Sequence, residues 1–172
     1  MSLVKDISAI NVYGLIRKLG FPHQAALKLV NNINRDNART PMQWNAKENA
    51  GFTSGKPWLT INPNYTRINV ENSISDETSI YHFYKQLIKI KKEISALCYG
   101  DFQPLFTSGK LMAFLRTFGN DEYTIILNMS KKRQKNPLFL RGEVVVTNYD
   151  GHDNYENKRW LEPFEGALIK TR

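Results

Sequence analysis

The chain has 172 residues and a formal net charge of +8, from 24 Lys and Arg against 16 Asp and Glu. Its 41% apolar and 23% charged residues fit a globular chain of one ordinary domain or two small ones, and argue against wholesale disorder. A single cysteine, Cys98, excludes an intrachain disulfide and fits a reducing, cytoplasmic setting. No apolar run nears the roughly 18 residues that cross a bilayer, and the start lacks the apolar core of a signal peptide.

Residues 6–19 place Ile7, Ile10, Tyr13, Ile16 and Leu19 three apart, which predicts a helix. Gly20-Phe21-Pro22 breaks it. Residues 22–32 predict a second short helix, with Pro22 in its first turn and Ala25, Ala26, Leu29 and Val30 on its buried side. From Asn34 to Val70 periodicity vanishes. Pro41, Pro57 and Pro63 are interspersed there with Gly51, Gly55 and many side-chain amides. Met42, Trp44, Phe52, Trp58, Ile61 and Tyr65 are too apolar to be left in water. The segment therefore predicts an ordered loop that forms a site.

A strong helix is expected over residues 76–97, capped by Ser75, with Asp76 and Glu77 at the positive end of its dipole. Ile80, Phe83, Tyr84, Leu87, Ile88, Lys91, Ile94 and Leu97 follow its 3-4-3-4 spacing, and Gly100 ends it. Short β-prone runs follow at Phe102–Phe106, Leu111–Phe118, Tyr123–Met129, Glu143–Tyr149 and Gly166–Thr171, the pattern of an antiparallel sandwich. The fold class is thus mixed: helices and a long loop, then an all-β module.

Several candidate chemistries fail on spacing. The glycines are too dispersed for a phosphate loop. One cysteine with His23, His82 and His152 in separate elements makes no zinc site, so no metal or cofactor is expected. Tyr149-Asp150-Gly151-His152-Asp153 puts a histidine between carboxylates and could hold a general base, although Asp150-Gly151 also reads as a plain turn. His82, beside Tyr81 and Phe83, reads as a surface histidine. The basic clusters Lys85–Lys92 and Lys131–Lys135 would serve a nucleic-acid or polysaccharide module, but charge runs are usually solvated faces.

The most specific stretch runs from Asn34 to Trp44. It packs Arg35, Arg39, Asp36, side-chain amides and Trp44 into one turn-rich segment, and this is an inventory that reads sugars. Guanidinium and carboxylate groups grip hydroxyls in pairs, and aromatic faces stack on the ring. A structural salt-bridge loop would use the same residues.

Arg35-Asp-Asn-Ala-Arg-Thr-Pro-Met-Gln-Trp44, Asn49-Ala-Gly-Phe-Thr-Ser-Gly-Lys-Pro-Trp58, Asn62-Pro-Asn-Tyr65 and Ile68-Asn-Val70 occur here in order. Together they strongly resemble α-glucosidases of glycoside hydrolase family 13, in the group of oligo-1,6-glucosidases, dextran glucosidases and trehalose-6-phosphate hydrolases. Asn148-Tyr149-Asp150 and Leu161–Glu165 resemble the tail of the same enzymes, and Asp6 to Tyr13 a segment after the last barrel strands. The resemblance implies that residues 1–98 are the end of a (β/α)8 barrel and residues 99–172 a C-terminal β-sandwich. Met1-Ser2-Leu3 is expected to be an added leader.

The family's catalytic motifs, an aspartate nucleophile, a glutamate acid/base and a second aspartate, do not occur here. No catalytic residue is therefore assigned, and the chain alone is expected to be inactive. What the resemblance implies here is substrate binding by Arg35, matched to an arginine that binds the terminal glucose in subsite −1. Arg39 is the second candidate, expected with Asp36 to shape the loop through ion pairs. Trp44 and Trp58 are expected to pack against the barrel. The implied partners are short α-glucosides and the barrel itself, with self-association through the exposed helix face, and neither nucleic acid nor membrane.

Overall fold

The computed structural model describes residues 4–151 and 154–172. The expected leader Met1–Leu3 lies outside the described residues. The chain divides into two compact units, Met1–His82 and Phe83–Arg172.

In the first unit, α1 (Ile7–Lys18) and α2 (His23–Asn31) fall where the apolar spacing puts them. Asp6 caps α1, its Oδ1 accepting from the Ser8 N–H at 3.1 Å. The segment read as a loop holds three short 3-10 turns, Arg35–Ala38, Glu48–Gly51 and Pro63–Thr66. Asparagines build two of them: Asn34 Oδ1 accepts from the Asp36 N–H and Asn62 Oδ1 from the Asn64 N–H, both at 3.1 Å. Around the middle turn, Asn49, Ala50 and Gly51 all lie in the left-handed region, with φ of 51°, 56° and 65°. The Ala50 carbonyl accepts from the Trp44 and Asn45 N–H groups, and the Asn49 amide donates to the Thr53 and Gly55 carbonyls.

A further helix, α3 (Val70–Ser75), escapes the sequence reading. Its free N–H groups find three acceptors: Asn69 Oδ1 takes that of Asn72, and the carbonyls of Gln43 and Trp44 take those of Val70 and Glu71. Ser75 therefore ends α3 and does not cap the next helix, and its hydroxyl donates to the Glu71 carbonyl. Asp76 closes a turn by accepting from both the N–H and the hydroxyl of Thr78. The long helix expected over 76–97 begins later and is broken. α4 runs Ile80–Glu93 and α5 Ser95–Tyr99, because Ile94 turns extended (φ −97°, ψ 105°).

The second unit is built on an antiparallel five-stranded sheet in the order β1-β2-β3-β7-β5. Its strands are β1 (Asp101–Thr107), β2 (Leu111–Phe118), β3 (Asp121–Asn128), β5 (Glu143–Thr147) and β7 (Gly166–Lys170). A two-stranded ribbon joins β4 (Gln134–Lys135) to β6 (Trp160–Leu161). Strand alternation separates two cores. Leu111, Ala113, Ile126, Ala167 and Ile169 pack with Leu140, Tyr155 and Leu161 of the ribbon and its loops. Tyr123, Ile125, Leu168 and Val146 pack instead with Phe83, Leu87, Ile90, Ile94, Ala96 and Leu97. Half of the helical stripe is thus spent on the sheet, while Ile80, Tyr84 and Ile88 remain exposed.

Candidate functional site

The sugar-reading inventory lies in the first unit, on the 3-10 turn Arg35–Ala38 and the extended residues after it. Two carboxylates lock this turn to the residues that precede α1. Asp6 Oδ2 accepts from both the backbone N–H and Nε of Arg35, each at 3.0 Å, and Asp6 Oδ1 accepts from Arg35 Nη2 at 2.7 Å. With the Ser8 N–H also on Oδ1, each oxygen of Asp6 takes two donors. In return Asp36 Oδ2 accepts from the N–H groups of Lys5 (2.7 Å) and Asp6 (3.0 Å). The Asp6 side chain is wholly buried and that of Arg35 is 57% exposed. The Arg35 guanidinium, hydrogen-bonded to Asp6, holds its carboxyl well below the usual carboxylate range, and Asp6 in turn raises Arg35.

Arg35 therefore has two of its five N–H donors committed to Asp6, and its Nη2 also lies 3.5 Å from Ser8 Oγ. Arg39 is different. Its backbone N–H closes the turn on the Asp36 carbonyl, but among the described residues its exposed side chain makes no hydrogen bond or ion pair. The ion pair of this loop, expected of Arg39, is made by Arg35. Asp36 Oδ1 is buried without a hydrogen-bond partner among the described residues. Asp36 also lines a small cavity of about 190 Å³ with Asn34, Asn37, Thr40, Leu59 and Thr60. Trp44 and Trp58 are both exposed, Trp58 by 68%.

Nothing in the sequence singled out Asp6. Its signal is local, an aspartate two residues ahead of Ser8 at the start of an apolar stripe, where a helix cap is expected. Its second partner lies 29 residues away.

The other candidates form no catalytic or metal site among the described residues. His82 Nε2 bonds the Ile74 carbonyl at 2.8 Å, and its ring meets Tyr81 edge-on. In the Tyr149–Asp153 segment, Tyr149 donates its hydroxyl to the Pro163 carbonyl and Asp150 is exposed in a turn, while His152 and Asp153 lie outside the described residues. No three His, Cys, Asp or Glu side chains converge among the described residues as a metal site would require. In the basic segment Lys131–Lys135, Arg133 pairs with Glu162 at 2.9 Å and lies over the Trp160 ring. Glu165, wholly buried, accepts from the Tyr155 hydroxyl and pairs with Lys158 at 3.1 Å. Burial first, and then that bond to Glu165, push the Tyr155 hydroxyl well above its ordinary value. No described helix is long and apolar enough to cross a membrane.

Residues 7–100 match the family model for the alpha-amylase catalytic domain. Over 97% of its length the chain is 40% identical to a glucan 1,6-alpha-glucosidase of Streptococcus pneumoniae, and over 98% it is 35% identical to an oligo-1,6-glucosidase of Parageobacillus thermoglucosidasius. It spans 31% of each of those proteins. Among solved structures it is similar to a trehalose-6-phosphate hydrolase of Bacillus licheniformis, with a TM-score of 0.90 and 29% identity over 99% of this chain and 32% of that one. The chain thus spans about a third of the length of the relatives it matches.

Proposed function

The chain belongs to the alpha-amylase family, and from that membership we propose that it is the C-terminal third of an α-glucosidase that hydrolyses short α-glucosides with retention. Residues 1–98 would be the end of the barrel and residues 99–172 its structural C-terminal domain. The observation that carries the reading is the turn Arg35–Ala38, clasped at Asp6 with the Arg35 side chain still 57% exposed. We assign sugar binding to both arginines with different shares. Arg35, 57% exposed, contacts hydroxyls of the terminal glucose through the donors that Asp6 leaves free, and Arg39 is the second candidate beside it.

Retaining hydrolysis needs two carboxyls about 5–5.5 Å apart across the scissile bond, one free to attack and one to pass a proton. Asp6 has each oxygen doubly occupied, Asp36 is held on backbone N–H groups, and Glu165 is sealed under Tyr155 and Lys158. None of them can attack a sugar. The carboxylates are assigned to a barrel of about 250 residues, more than this chain holds. That barrel is the proposed partner. The exposed Ile7, Leu19, Trp44, Trp58 and Ile80 of the first unit are the surface it would cover, and the surface through which the chain alone self-associates. The lone, free Cys98 supports a cytoplasmic location.

The test is hydrolysis of 4-nitrophenyl α-glucoside and isomaltose by the chain alone at high concentration. No turnover above background is expected. Turnover that survives repurification would place a catalytic pair within these residues and overturn the reading.

A further inference from the structure

We infer that the outer face of the β4–β6 ribbon in the second unit is a further carbohydrate site, which takes a segment of α-glucan on Trp160, Arg133, Glu162 and Lys135. The class of sugar rests on the α-glucosidase reading, whereas the site itself rests on residues that reading does not use. The two strands pair antiparallel, Gln134 opposite Leu161 and Lys135 opposite Trp160. Leu161 is wholly buried, so strand alternation turns its neighbours Trp160 and Glu162 outward, and Trp160 is 48% exposed. The Arg133 guanidinium lies over the Trp160 ring, 5.7 Å from its centre, and its Nε pairs with Glu162 Oε1 at 2.9 Å. Strand pairing thus gathers an indole, a guanidinium, a carboxylate and an ammonium that the sequence keeps in two separate segments.

The face is fixed from beneath. The buried Asn128, at the end of β3, donates its amide to the carbonyls of Lys132, Leu161 and Glu162, at 2.9, 3.3 and 2.7 Å. One side chain therefore ties the main chain next to Arg133 to that of Glu162. The Gln134 amide donates to Ser130 Oγ at 3.1 Å. A surface held in place before the ligand arrives loses little freedom on binding. Its chemistry suits a sugar. The indole offers an apolar ring for the C–H face of glucose. A hydroxyl both donates and accepts, and Arg133 beside Glu162 supplies donors and acceptors together, with Lys135 as a further donor. A phosphate chain wants donors alone, and the Glu162 carboxylate repels it. The pair of charges beside Trp160 therefore favours a neutral glycan over a nucleic acid, although the segment Lys131–Lys135 is basic.

The test uses the chain alone, with isomaltohexaose as the probe and the indole N–H resonances as the signal. The Trp160 resonance, identified by its loss in Trp160→Ala, should shift to saturation. Trp160→Ala should weaken binding roughly tenfold, the scale of a lost aromatic contact. Arg133→Ala should weaken it roughly threefold, the scale of a lost hydrogen bond. Amide exchange in β3 and β7 should stay unchanged in both, and if Trp160→Ala disturbs the ribbon, Arg133→Ala decides. Arg35→Ala, which removes the sugar contact proposed for the first unit, should leave the titration unaltered. Salt at about 0.5 M should change the affinity less than about twofold, since a neutral sugar releases no counterions. Absence of binding, indifference to both Trp160→Ala and Arg133→Ala, or loss of binding in Arg35→Ala overturns the inference. Tighter binding of an oligo-dT strand that vanishes in the same salt would give the face to nucleic acid and overturn it as well. Failure of the chain to support hydrolysis with its barrel would sink the functional reading, while the titration would still report whether the ribbon binds a glucan.

Discussion

Asp6 and Arg35 join two stretches of the first unit that lie 29 residues apart. The carboxylate is held ionised by the guanidinium and by two backbone N–H groups. A group lowered in the folded state contributes stability above its ordinary value, near pH 3.9, and loses it as the pH falls toward the folded value. Protection of residues 34–39 should therefore hold from neutral pH down to about 5 and fall away below about 4. Amide exchange across that range checks it, and Asp6→Asn should remove the pH dependence. The RDNAR pattern itself was legible as a sugar-reading inventory, because residue types and spacing are enough for that. Which arginine is tethered was not legible, since the tether comes from a residue 29 positions earlier that looks like an ordinary helix cap. Proximity in space, not spacing in sequence, pairs Arg35 with Asp6.

At the scale of elements, β2 spans the β-prone run read from the sequence, and β1, β3, β5 and β7 fall within two residues of theirs. β-prone runs bounded by turn residues are a strong signal. Helix ends were less legible. The break at Ile94 follows from one residue turning extended within an apolar stripe that continues to Leu97, so periodicity alone runs through it. α3 has only six residues and owes its start to Asn69 and to the carbonyls of Gln43 and Trp44, which come from far along the chain. Asn69→Ala should therefore cost about 1–2 kcal/mol, since it removes an N-cap. It also removes the bond from the Asn69 amide to the Tyr65 carbonyl. Faster exchange at the Asn72 amide, which loses the Asn69 Oδ1 acceptor, would report the loss. In the second unit, Leu161 is wholly buried against the sheet, and Leu161→Ala should destabilise by about 2–5 kcal/mol in urea unfolding.

For the molecule as a whole, the two units differ in how completely they bury their apolar residues. The second encloses two cores, one on each face of its sheet. The first leaves Ile7, Leu15, Leu19, Trp44 and Trp58 in contact with solvent. A surface of that kind belongs against another surface. Sedimentation velocity on the chain alone should show self-association that grows with concentration, and an excess of the barrel polypeptide should replace it with a single heteromeric species. The sequence disclosed the family through its long motif but could not disclose which face of α4 is spent. Phe83, Leu87 and Ile90 turn to the sheet, while Ile80, Tyr84 and Ile88 do not.

The central claim is that this chain supplies the sugar-binding turn and the terminal domain of a glucosidase whose carboxylates lie elsewhere. The most direct measurement is isomaltose hydrolysis, followed by NMR of the released glucose, as the barrel polypeptide is titrated into the chain. Activity should be absent from either polypeptide alone, rise to a plateau at one chain per barrel, and release the α-anomer first. Hydrolysis by the chain alone, or a saturated complex that releases no glucose, would contradict the account.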